Sequence, residues 1–314
     1  MNERRDARLI SDLERANIHP LWDRYKRITP VAPQPKDAPM HWRWRDIEPF
    51  AARAAKEVGI EDVERRALIL ANPAFGGDTV TTQNLIGAFT VLEPGDKAVP
   101  HRHTAAAIRF ATRADGAVTI VNGRRCEMHE GDLVLTPPMC WHGHINQGKE
   151  RTVWFDAANM PAICMLDASF FEPGTRQDGR FWDVAAEGPS EYRFPGADTR
   201  RDVAGAARGK DGARTYRYTK NDASVMPTLD LYYKRLDEPT RRVRTTWNAI
   251  CLVVSGEGRS TVGDKVFDWS RHDVFTIPHW TWATHEPRGA PAELFIVTDR
   301  AIYERLDLLR EEIQ

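Results

Sequence analysis

Three histidines between positions 95 and 146 are the residues best suited to chemistry in this 314-residue chain. His101 and His103 are two residues apart, so on an extended strand both side chains point to the same face and can bind one metal ion. His142 follows a second turn and strand, Glu130 to Thr136, which can fold back towards them. We therefore predict a metal site with three neutral nitrogen ligands. The alternative is that His101 and His103 are ordinary surface histidines near a turn.

Fixed spacing extends this pattern beyond the histidines. In the first half of the pattern, five residues separate a Gly from His-x-His. In the second half, five residues separate another Gly from a Pro, a His follows five positions after that Pro, and an Asn follows four positions after that His. The residues outside the histidines are Gly95, Gly131, Pro137 and Asn146. The pattern resembles the two-part signature of the cupin barrel. That signature usually includes a glutamate ligand four or five residues after His-x-His, where this chain has Ala107 and Ile108. The predicted site is therefore all-histidine, with open positions for substrate and oxygen.

Composition narrows the class of partner. Lys+Arg 44 against Asp+Glu 45 gives a formal charge of -1, so no overall field attracts nucleic acid or an anionic membrane. We predict a small-molecule partner, with no nucleic acid and no membrane. The cysteines are scattered singly, which predicts reduced thiols in a cytoplasmic protein. They are Cys126, Cys140, Cys164 and Cys251.

Strand-like texture begins at Arg65, where short apolar runs alternate with Gly, Pro, Asn and Asp. We predict an all-β dominated fold of two cupin jelly-roll β-barrels with N-terminal and C-terminal helices. The predicted domains are a helical and proline-rich arm over 1–64, a metal-binding cupin barrel over 65–171, a linker or surface excursion over 172–225, and a second, metal-free cupin barrel over 226–314. Amphipathic spacing predicts helices over 4–18, 46–58 and 301–312.

The second barrel is predicted from an internal repeat. Gly256 through Gly263 and Asp273 through Pro278 echo the turns and strands of the first barrel. Aligning the copies places the His-x-His positions near Arg241 and Val243, and the third ligand position at Ala283. None of these is a good ligand, and His285 corresponds to His144. We predict a metal-free, structural second barrel. The alternative is a metal bound by His272, His279 or His285.

Arg109 indicates the kind of substrate. It lies six residues past His103, and even spacing on one strand would turn it into the barrel, where an unpaired guanidinium is costly. A site of three imidazoles also leaves the metal cationic, which favours an anionic chelating ligand. We predict that Arg109 binds an anionic substrate. The alternative is an internal pair with Asp156.

Further motifs resemble the gentisate and salicylate 1,2-dioxygenase family of bicupins, over nearly the whole chain. They are His101-Arg102-His103-Thr104 with Arg109-Phe110, Trp141-His142-Gly143-His144, Trp154-Phe155-Asp156 with Pro161, Arg65-Arg66-Ala67-Leu68 with Asn72-Pro73, and the late runs Asp273 to Trp282 and Asp299-Arg300. The resemblance implies an Fe(II) enzyme. It would use O2 to cleave a 2-hydroxybenzoate between the carboxyl-bearing and adjacent hydroxyl-bearing carbons, giving an oxo dicarboxylic acid.

The resemblance also implies roles for individual residues. The iron ligands would be His101, His103 and His142. Arg65 and Arg109 would bind the carboxylate and ring oxygens, with Arg66 close enough to leave the first assignment open by one residue. His144 and Asp156 would line the pocket and, with Arg109, act in catalysis by hydrogen bonding to the substrate or the oxygen species.

Two departures from the family pattern bear on specificity. Salicylate-active members place a tryptophan and, four residues later, a glutamine where this chain has Ile86 and Thr90. Both would line the substrate pocket and change its volume and stacking. Gentisate, salicylate, a nitro- or halosalicylate and 1-hydroxy-2-naphthoate all remain open.

The sequence also allows other functions, and the assembly is predicted only from the resemblance. A non-catalytic cupin that binds or senses an aromatic acid, and a cupin isomerase or dioxygenase using Mn, Ni or Zn, are the alternatives. The resemblance implies a homotetramer in which the N-terminal arms contact neighbouring subunits.

Overall fold

The computed structural model describes residues 2–175, 177–184 and 188–314, which divide into two compact units at position 34. The first unit holds α1 (Asn2–Arg15) and α2 (Leu21–Ile28). An ion pair of 3.2 Å between Arg24 and Glu14 joins them. The helix predicted over 4–18 therefore exists, shifted towards the N-terminus by a few residues.

The second unit contains the remaining elements. Its helices are α3 (Trp44–Glu57), α4 (Met160–Met165), α5 (Gly179–Trp182), α6 (Gly196–Gly205) and α7 (Arg300–Arg305). Its strands are β1 (His41–Trp42), β2 (Arg66–Ile69), β3 (Ile86–Leu92), β4 (Lys97–His103), β5 (Ala107–Arg113), β6 (Ala117–Val121), β7 (Arg124–Glu127), β8 (Leu133–Thr136), β9 (His142–Asn146), β10 (Thr152–Ala158), β11 (Phe171–Pro173), β12 (Arg193–Phe194), β13 (Arg214–Arg217), β14 (Thr219–Lys220), β15 (Ala223–Ser224), β16 (Asp230–Leu236), β17 (Val243–Thr245), β18 (Ala249–Ser255), β19 (Gly258–Val262), β20 (Lys265–Trp269), β21 (Val274–Ile277), β22 (Ala283–Pro287), β23 (Ala292–Thr298) and β24 (Glu311–Ile313).

Each barrel is made of two antiparallel sheets. In the first barrel the strand orders are β12-β8-β5-β10-β3-β2 and β11-β4-β9-β6-β7. In the second they are β1-β21-β18-β23-β16-β13 and β24-β17-β22-β19-β20. The two lists match strand for strand, so the second barrel repeats the first. The predicted fold of two cupin barrels is confirmed, and β14 and β15 form a separate hairpin.

The two barrels share one apolar core, in which aromatic side chains of β3, β5 and β10 meet those of β16 and β23. Phe110 of the first barrel stacks on Phe295 of the second, with ring centroids 4.3 Å apart. Phe89 and Phe155 pack edge to face at 5.6 Å in the same layer. These rings are almost fully buried, and aromatic side chains contribute large buried areas. The shared core therefore holds the barrels together as one body.

Helix α3 covers one side of the β3 sheet. Its inward face carries Trp44, Ile47, Ala51 and Ala55 at helical spacing, all buried. The ring of Trp44 packs on Phe89 at 4.9 Å. The helix predicted over 46–58 is thus confirmed with its bounds moved by one or two residues. Within the described residues, the helices are all too short or too polar to cross a bilayer.

The C-terminal helix is shorter than predicted. Helix α7 ends at Arg305 instead of continuing to residue 312, and Asp307 adopts the left-handed conformation at φ 57°. A residue with positive φ stops an α-helix. The chain then forms β24, which pairs with β17 through Val243 and Ile313. The helical spacing of leucines was therefore overridden by strand pairing at the sheet edge.

The segment predicted as a linker over 172–225 is largely structured. Strand β12 pairs with β8 of the first barrel, and β13 pairs with β16 of the second. Helix α6 between them buries Val203. Sparse aliphatic residues suggested a loop, but short strands at sheet edges need few of them. The domain boundaries themselves stay a prediction.

Candidate metal centre and substrate cavity

The three predicted histidines lie together at the mouth of the first barrel. Strands β4 and β9 pair with His101 opposite His142, and the two-residue spacing places His103 on the same face of β4. One nitrogen from each ring lies within 4.8 Å of the other two. All three side chains are buried. The geometry expected from the His-x-His spacing is therefore present.

Backbone carbonyls determine which nitrogen of each ring carries hydrogen. Each Nδ1 lies at hydrogen-bond distance from a carbonyl oxygen two residues away, which can only accept, so Nδ1 donates. These contacts are His101 to Val99 at 2.9 Å, His103 to Ala105 at 2.8 Å and His142 to Cys140 at 3.0 Å. Each Nε2 therefore keeps its lone pair. This arrangement is typical of histidines that bind a metal through Nε2.

Two of these lone pairs have no protein partner. Nε2 of His101 and Nε2 of His142 are buried and make no hydrogen bond in the structure. A buried polar atom without a partner is costly, and a metal ion would satisfy both. Burial, with the positive charge of Arg65, lowers the pKa of His101 to about 3. Burial, with the charge of Arg109, lowers that of His103 to about 4. The rings are neutral at pH 7, as metal ligands must be. The donor set fits a divalent transition metal.

Asn146 and Gly95 belong to the same sequence signature as the histidines, and their role is structural. The backbone N–H of Gly95 donates to the carbonyl of Asn146 at 2.9 Å, and Gly95 has φ 86°, which favours glycine. The side-chain amide of Asn146 donates to the carbonyls of Leu92 and Glu150. These bonds hold the ends of β3, β4 and β9 together. They keep the strands that carry the histidines in register.

Beside His103 lies a cavity of about 110 Å³. Its polar wall is formed by Arg65, Arg109 and Asp156, and its apolar wall includes Ile86. Arg66 is elsewhere, since its guanidinium donates to Asp96 and to the carbonyl of Val58. The structure thus places Arg65, and not Arg66, against the cavity.

Arg109 is buried at 1% exposure, as predicted, although the reasoning about its strand was wrong. It lies on β5, whereas His103 ends β4, and a turn separates the two strands. Even spacing cannot be counted through a turn. The fold brings the two residues together because both strands line the barrel interior.

Asp156 and Thr136 hold the Arg109 guanidinium. Arg109 donates from Nη1 to the Thr136 hydroxyl, and its Nε lies 3.6 Å from Asp156 Oδ1. That distance is an ion pair but not a hydrogen bond, and Nε has no other partner. Burial lowers the pKa of Arg109 to about 10, so it stays charged at pH 7. The internal pair with Asp156 therefore exists, and it still leaves a donor free for an anion.

Asp156 is itself fixed by two donors. The indole N–H of Trp154 donates to Oδ1 at 3.0 Å, and the hydroxyl of Thr90 donates to Oδ2. Thr90 is fully buried and lies behind Asp156 instead of on the cavity wall. Its position therefore influences the pocket through Asp156, unlike Ile86, which forms part of the wall.

His144 lies next to the trio, with its ring 5.9 Å from that of His142. Its Nδ1 is 2.9 Å from the Thr119 hydroxyl, which in turn lies 3.3 Å from the Met128 sulfur. Burial, with the charge of Arg109, lowers its pKa well below the usual value. His144 is therefore a neutral ring at pH 7.

Glu64 is a functional candidate that the sequence did not indicate. Its carboxylate lies 3.1 Å from Nδ1 of His101, which also contacts the carbonyl of Val99. Carboxylates in this position orient a metal-binding histidine and increase its basicity. Nothing in the local sequence pairs position 64 with position 101, because the contact is made across the barrel mouth.

We expect Glu64→Gln to weaken metal binding by about tenfold, the low end of the range for such outer contacts, because Glu64 is 41% exposed. Competition with a chelator of known affinity would measure this. Glu127→Gln, which alters an exposed carboxylate on β7, is the matched control and should bind metal like the parent. Equal affinities in both variants would remove Glu64 from the metal centre.

The second barrel has the same strand positions but different side chains. Strands β17 and β22 pair with Val243 opposite Ala283, where β4 and β9 have His101 opposite His142. The predicted equivalence of Ala283 agrees with this register. The predicted equivalence of the His-x-His positions was shifted by two residues, because Val243 corresponds to the first histidine of His-x-His and not to the second.

His285 corresponds to His144, as predicted. It lies opposite Ser260 on β19, and its Nδ1 is 2.8 Å from the Ser260 hydroxyl, just as His144 pairs with Thr119 on β6. The positions of the three histidine ligands hold Val243, Thr245 and Ala283. In the described part of the chain, three clustered metal-ligand atoms occur at the first-barrel trio.

Buried neutral histidines make stability depend on pH. Burial, with the charge of Lys234, lowers the pKa of His285 to about 3, whereas an unfolded histidine has a pKa of about 6.5. The unfolded chain therefore binds more protons between these values, and the free energy of unfolding falls as pH drops from 6.5 towards 3. We expect His285 alone to cost about 2 kcal/mol at pH 5 relative to pH 7.

Urea unfolding of metal-stripped protein at pH 7 and pH 5 checks this expectation. His285→Gln should reduce the pH dependence by that amount, because glutamine keeps a hydrogen-bonding side chain without titrating. An unchanged pH dependence in His285→Gln would show that His285 is not the titrating group.

Two cupin barrels, one of which carries three buried imidazoles placed to hold one metal ion, define a bicupin with one candidate mononuclear metal centre in its described residues. A cupin domain family model matches residues 88–158, the region of the trio. A 5-aminosalicylate 1,2-dioxygenase from Comamonas sp. is 32% identical over 97% of this chain and 89% of that protein. A gentisate 1,2-dioxygenase from Streptomyces sp. is 32% identical over 96% of this chain and 94% of that protein.

Solved structures agree with these relatives. A variant of salicylate 1,2-dioxygenase from Pseudoaminobacter salicylatoxidans in complex with gentisate has a TM-score of 0.92 and 27% identity, covering 100% of this chain and 95% of that one. The chain therefore belongs to the gentisate and salicylate 1,2-dioxygenase family of bicupin ring-cleaving dioxygenases. The family membership indicated by the sequence motifs is confirmed.

Proposed function

We propose that this chain is an Fe(II)-dependent dioxygenase that opens a single-ring 2-hydroxybenzoate between the carboxyl-bearing and hydroxyl-bearing carbons, giving an oxo dicarboxylic acid. The observation that carries this proposal is the position of the buried Arg109, whose Nε makes no hydrogen bond, beside three clustered imidazoles, two of which have Nε2 atoms without a partner. Arg109 suits a carboxylate and the metal centre suits a chelating pair of oxygens. A 2-hydroxybenzoate presents both groups on adjacent carbons.

His101, His103 and His142 would hold the iron, and bound ferrous ion would supply the Lewis-acid and one-electron chemistry that lets O2 react with the ring. Arg65 and Arg109 bind and orient the carboxylate. Asp156 keeps the Arg109 guanidinium in place. The family's relatives act on substrates of this type, among them gentisate, salicylate and 5-aminosalicylate according to their names.

His144 is the residue we assign to proton movement. If Nδ1 of His144 donates to Thr119, whose hydroxyl donates to the Met128 sulfur, Nε2 is left as an acceptor. A neutral ring with a free Nε2 can take the proton of the ring hydroxyl as the phenol becomes a phenolate. Burial, with the charge of Arg109, lowers the pKa of His144 well below its usual value, so the ring is neutral before the substrate binds.

Anaerobic reconstitution with Fe(II), followed by oxygen-electrode and ultraviolet measurements, tests the proposed function. Gentisate, 5-aminosalicylate and salicylate would be added in turn. Oxygen uptake with growth of a conjugated oxo-acid band supports ring cleavage and identifies the ring. Saturable binding without uptake would support a binding or sensing protein instead, and activity restored only by Mn, Ni or Zn would contradict the iron assignment.

The cavity also bears on the size of the ring. Its volume of about 110 Å³ and the side chain of Ile86 on its wall leave room for one ring. We expect single-ring substrates to be preferred over 1-hydroxy-2-naphthoate, although a relative from Nocardioides sp. (strain KP7), 31% identical over 89% of this chain and 80% of that protein, is named for that bicyclic acid.

Ile86→Ala should raise kcat/KM for 1-hydroxy-2-naphthoate relative to salicylate by about tenfold, because hydrophobic pocket contacts of this size are worth about 1–3 kcal/mol. Ile69→Ala, at a half-exposed position of the same cavity, is the control and should change the ratio less. A ratio unchanged by Ile86→Ala would mean that another group limits ring size.

We further propose a homotetramer and a cytoplasmic location. Helix α2 has no buried side chain, and Trp22 is 70% exposed, so the N-terminal arm offers apolar surface to a neighbouring subunit. Light scattering after size exclusion would test the assembly, and a monomer would contradict it. The cysteines are all unpaired, which suits a reducing compartment.

A further inference from the structure

The second barrel contains a cavity at the place where the first barrel has its active site. The paired strands establish the equivalence, since Val243 faces Ala283 as His101 faces His142. This second cavity has a volume of about 360 Å³, and both residues line it. It is the larger of the two cavities, and its volume lies in the range of small-molecule sites. The loss of the histidines has therefore left open space in the barrel.

Positive charge surrounds this second cavity. Lys234 lines it at the position equivalent to Thr90, and its ammonium is paired with Asp211 at 2.6 Å. Lys210 and Arg241 also line it, and within the described residues neither side chain has an ion pair or a hydrogen bond. Arg244 and Arg300 complete the cationic lining, each paired with a carboxylate. Two cations therefore remain available to an anion.

The rest of the wall is apolar and partly aromatic. Tyr232 and Ile296 stand at the positions equivalent to Ala88 and Asp156, and Trp247 and Ile277 lie beside them. The carboxylate of the first barrel's substrate wall is thus replaced by an aliphatic side chain. His285 lies at the cavity as a neutral ring, since burial and the charge of Lys234 lower its pKa to about 3. Only Asp211 and Glu311 bring negative charge to the wall.

We propose that the second cavity binds a small organic anion with an apolar body, an aromatic monocarboxylate of one ring, without metal and apart from the catalytic centre. The carboxylate is neutralised by Arg241 and Lys210, and the ring packs against Tyr232 and Ile296, which are cross-strand neighbours on the cavity wall. The ligand needs no ortho hydroxyl, because no chelate forms there. This site does not depend on the proposed dioxygenase reaction.

Calorimetric titration of metal-free protein with benzoate tests the site, because benzoate lacks the chelating hydroxyl. Arg109→Met removes the buried one of the two arginine contacts in the first barrel and so weakens benzoate binding there. Binding that this variant retains, and that a change in the second barrel then weakens, belongs to the second cavity. We expect one bound benzoate per chain in Arg109→Met. An absence of binding in that variant would overturn the proposal.

Two variants place the binding in the second barrel, both made on the Arg109→Met background. Val243→Phe fills the cavity with a ring where the first barrel already accommodates an imidazole, so the barrel should fold. We expect it to weaken benzoate binding at least tenfold. Arg241→Gln, an exposed change, should weaken binding about threefold and reduce its salt dependence. Undiminished affinity in both variants would overturn the proposal, whatever the dioxygenase assay shows.

Discussion

His142→Ala is expected to abolish tight metal binding and to reduce dioxygenase activity below about 1% of the parent, because ligand loss exceeds the 10- to 100-fold effects of outer contacts. His142 is fully buried and contributes one of the two orphaned Nε2 atoms. Removing it leaves two imidazoles, which is too few for a stable mononuclear site.

A thermal shift assay measures the loss of metal binding without relying on activity. Ferrous or another divalent metal should stabilise the parent by about 4 kcal/mol at a metal concentration of 1,000 times Kd, and should leave His142→Ala nearly unchanged. His129→Ala, which removes an exposed histidine of the same barrel, is the control and should respond like the parent. A parent that gains no stability from any divalent metal would refute the metal centre.

Arg109→Met should lower kcat/KM for the 2-hydroxybenzoate substrate by about 100- to 1,000-fold, because truncating one partner of a buried charge pair costs about 2–5 kcal/mol. The variant loses the donor that meets the substrate carboxylate. It also leaves Asp156 without its cationic neighbour, although Thr90 and Trp154 still donate to that carboxylate. We expect the loss mainly in KM.

Two further variants separate substrate binding from internal structure. Arg109→Lys keeps the charge but loses the planar fork, so it should recover only part of kcat/KM. Arg109→Met combined with Asp156→Asn removes the unbalanced carboxylate. If Arg109 served only to neutralise Asp156, the double variant would regain activity as well as stability, and the carboxylate assignment would be wrong.

The metal centre was predictable from the sequence because its geometry is local. Two-residue spacing on an extended strand determines that His101 and His103 share a face, and the Gly95 and Asn146 positions set the register that brings His142 opposite. The strand texture was equally informative, since β8 spans the predicted residues Leu133–Thr136. Alternation and turn residues act over a few positions and need no knowledge of distant partners.

Tertiary structure decided what depends on contacts across the barrel. Arg65 and Arg66 are adjacent and point to opposite faces, and only the pairing of β2 with β3 determines which one lines the cavity. The Glu64 contact with His101 and the β24 pairing with β17 likewise join residues far apart in the chain. The second cavity is the clearest case. The sequence showed only that its ligands were missing, because the space left by Val243 and Ala283 exists only when two strands enclose it.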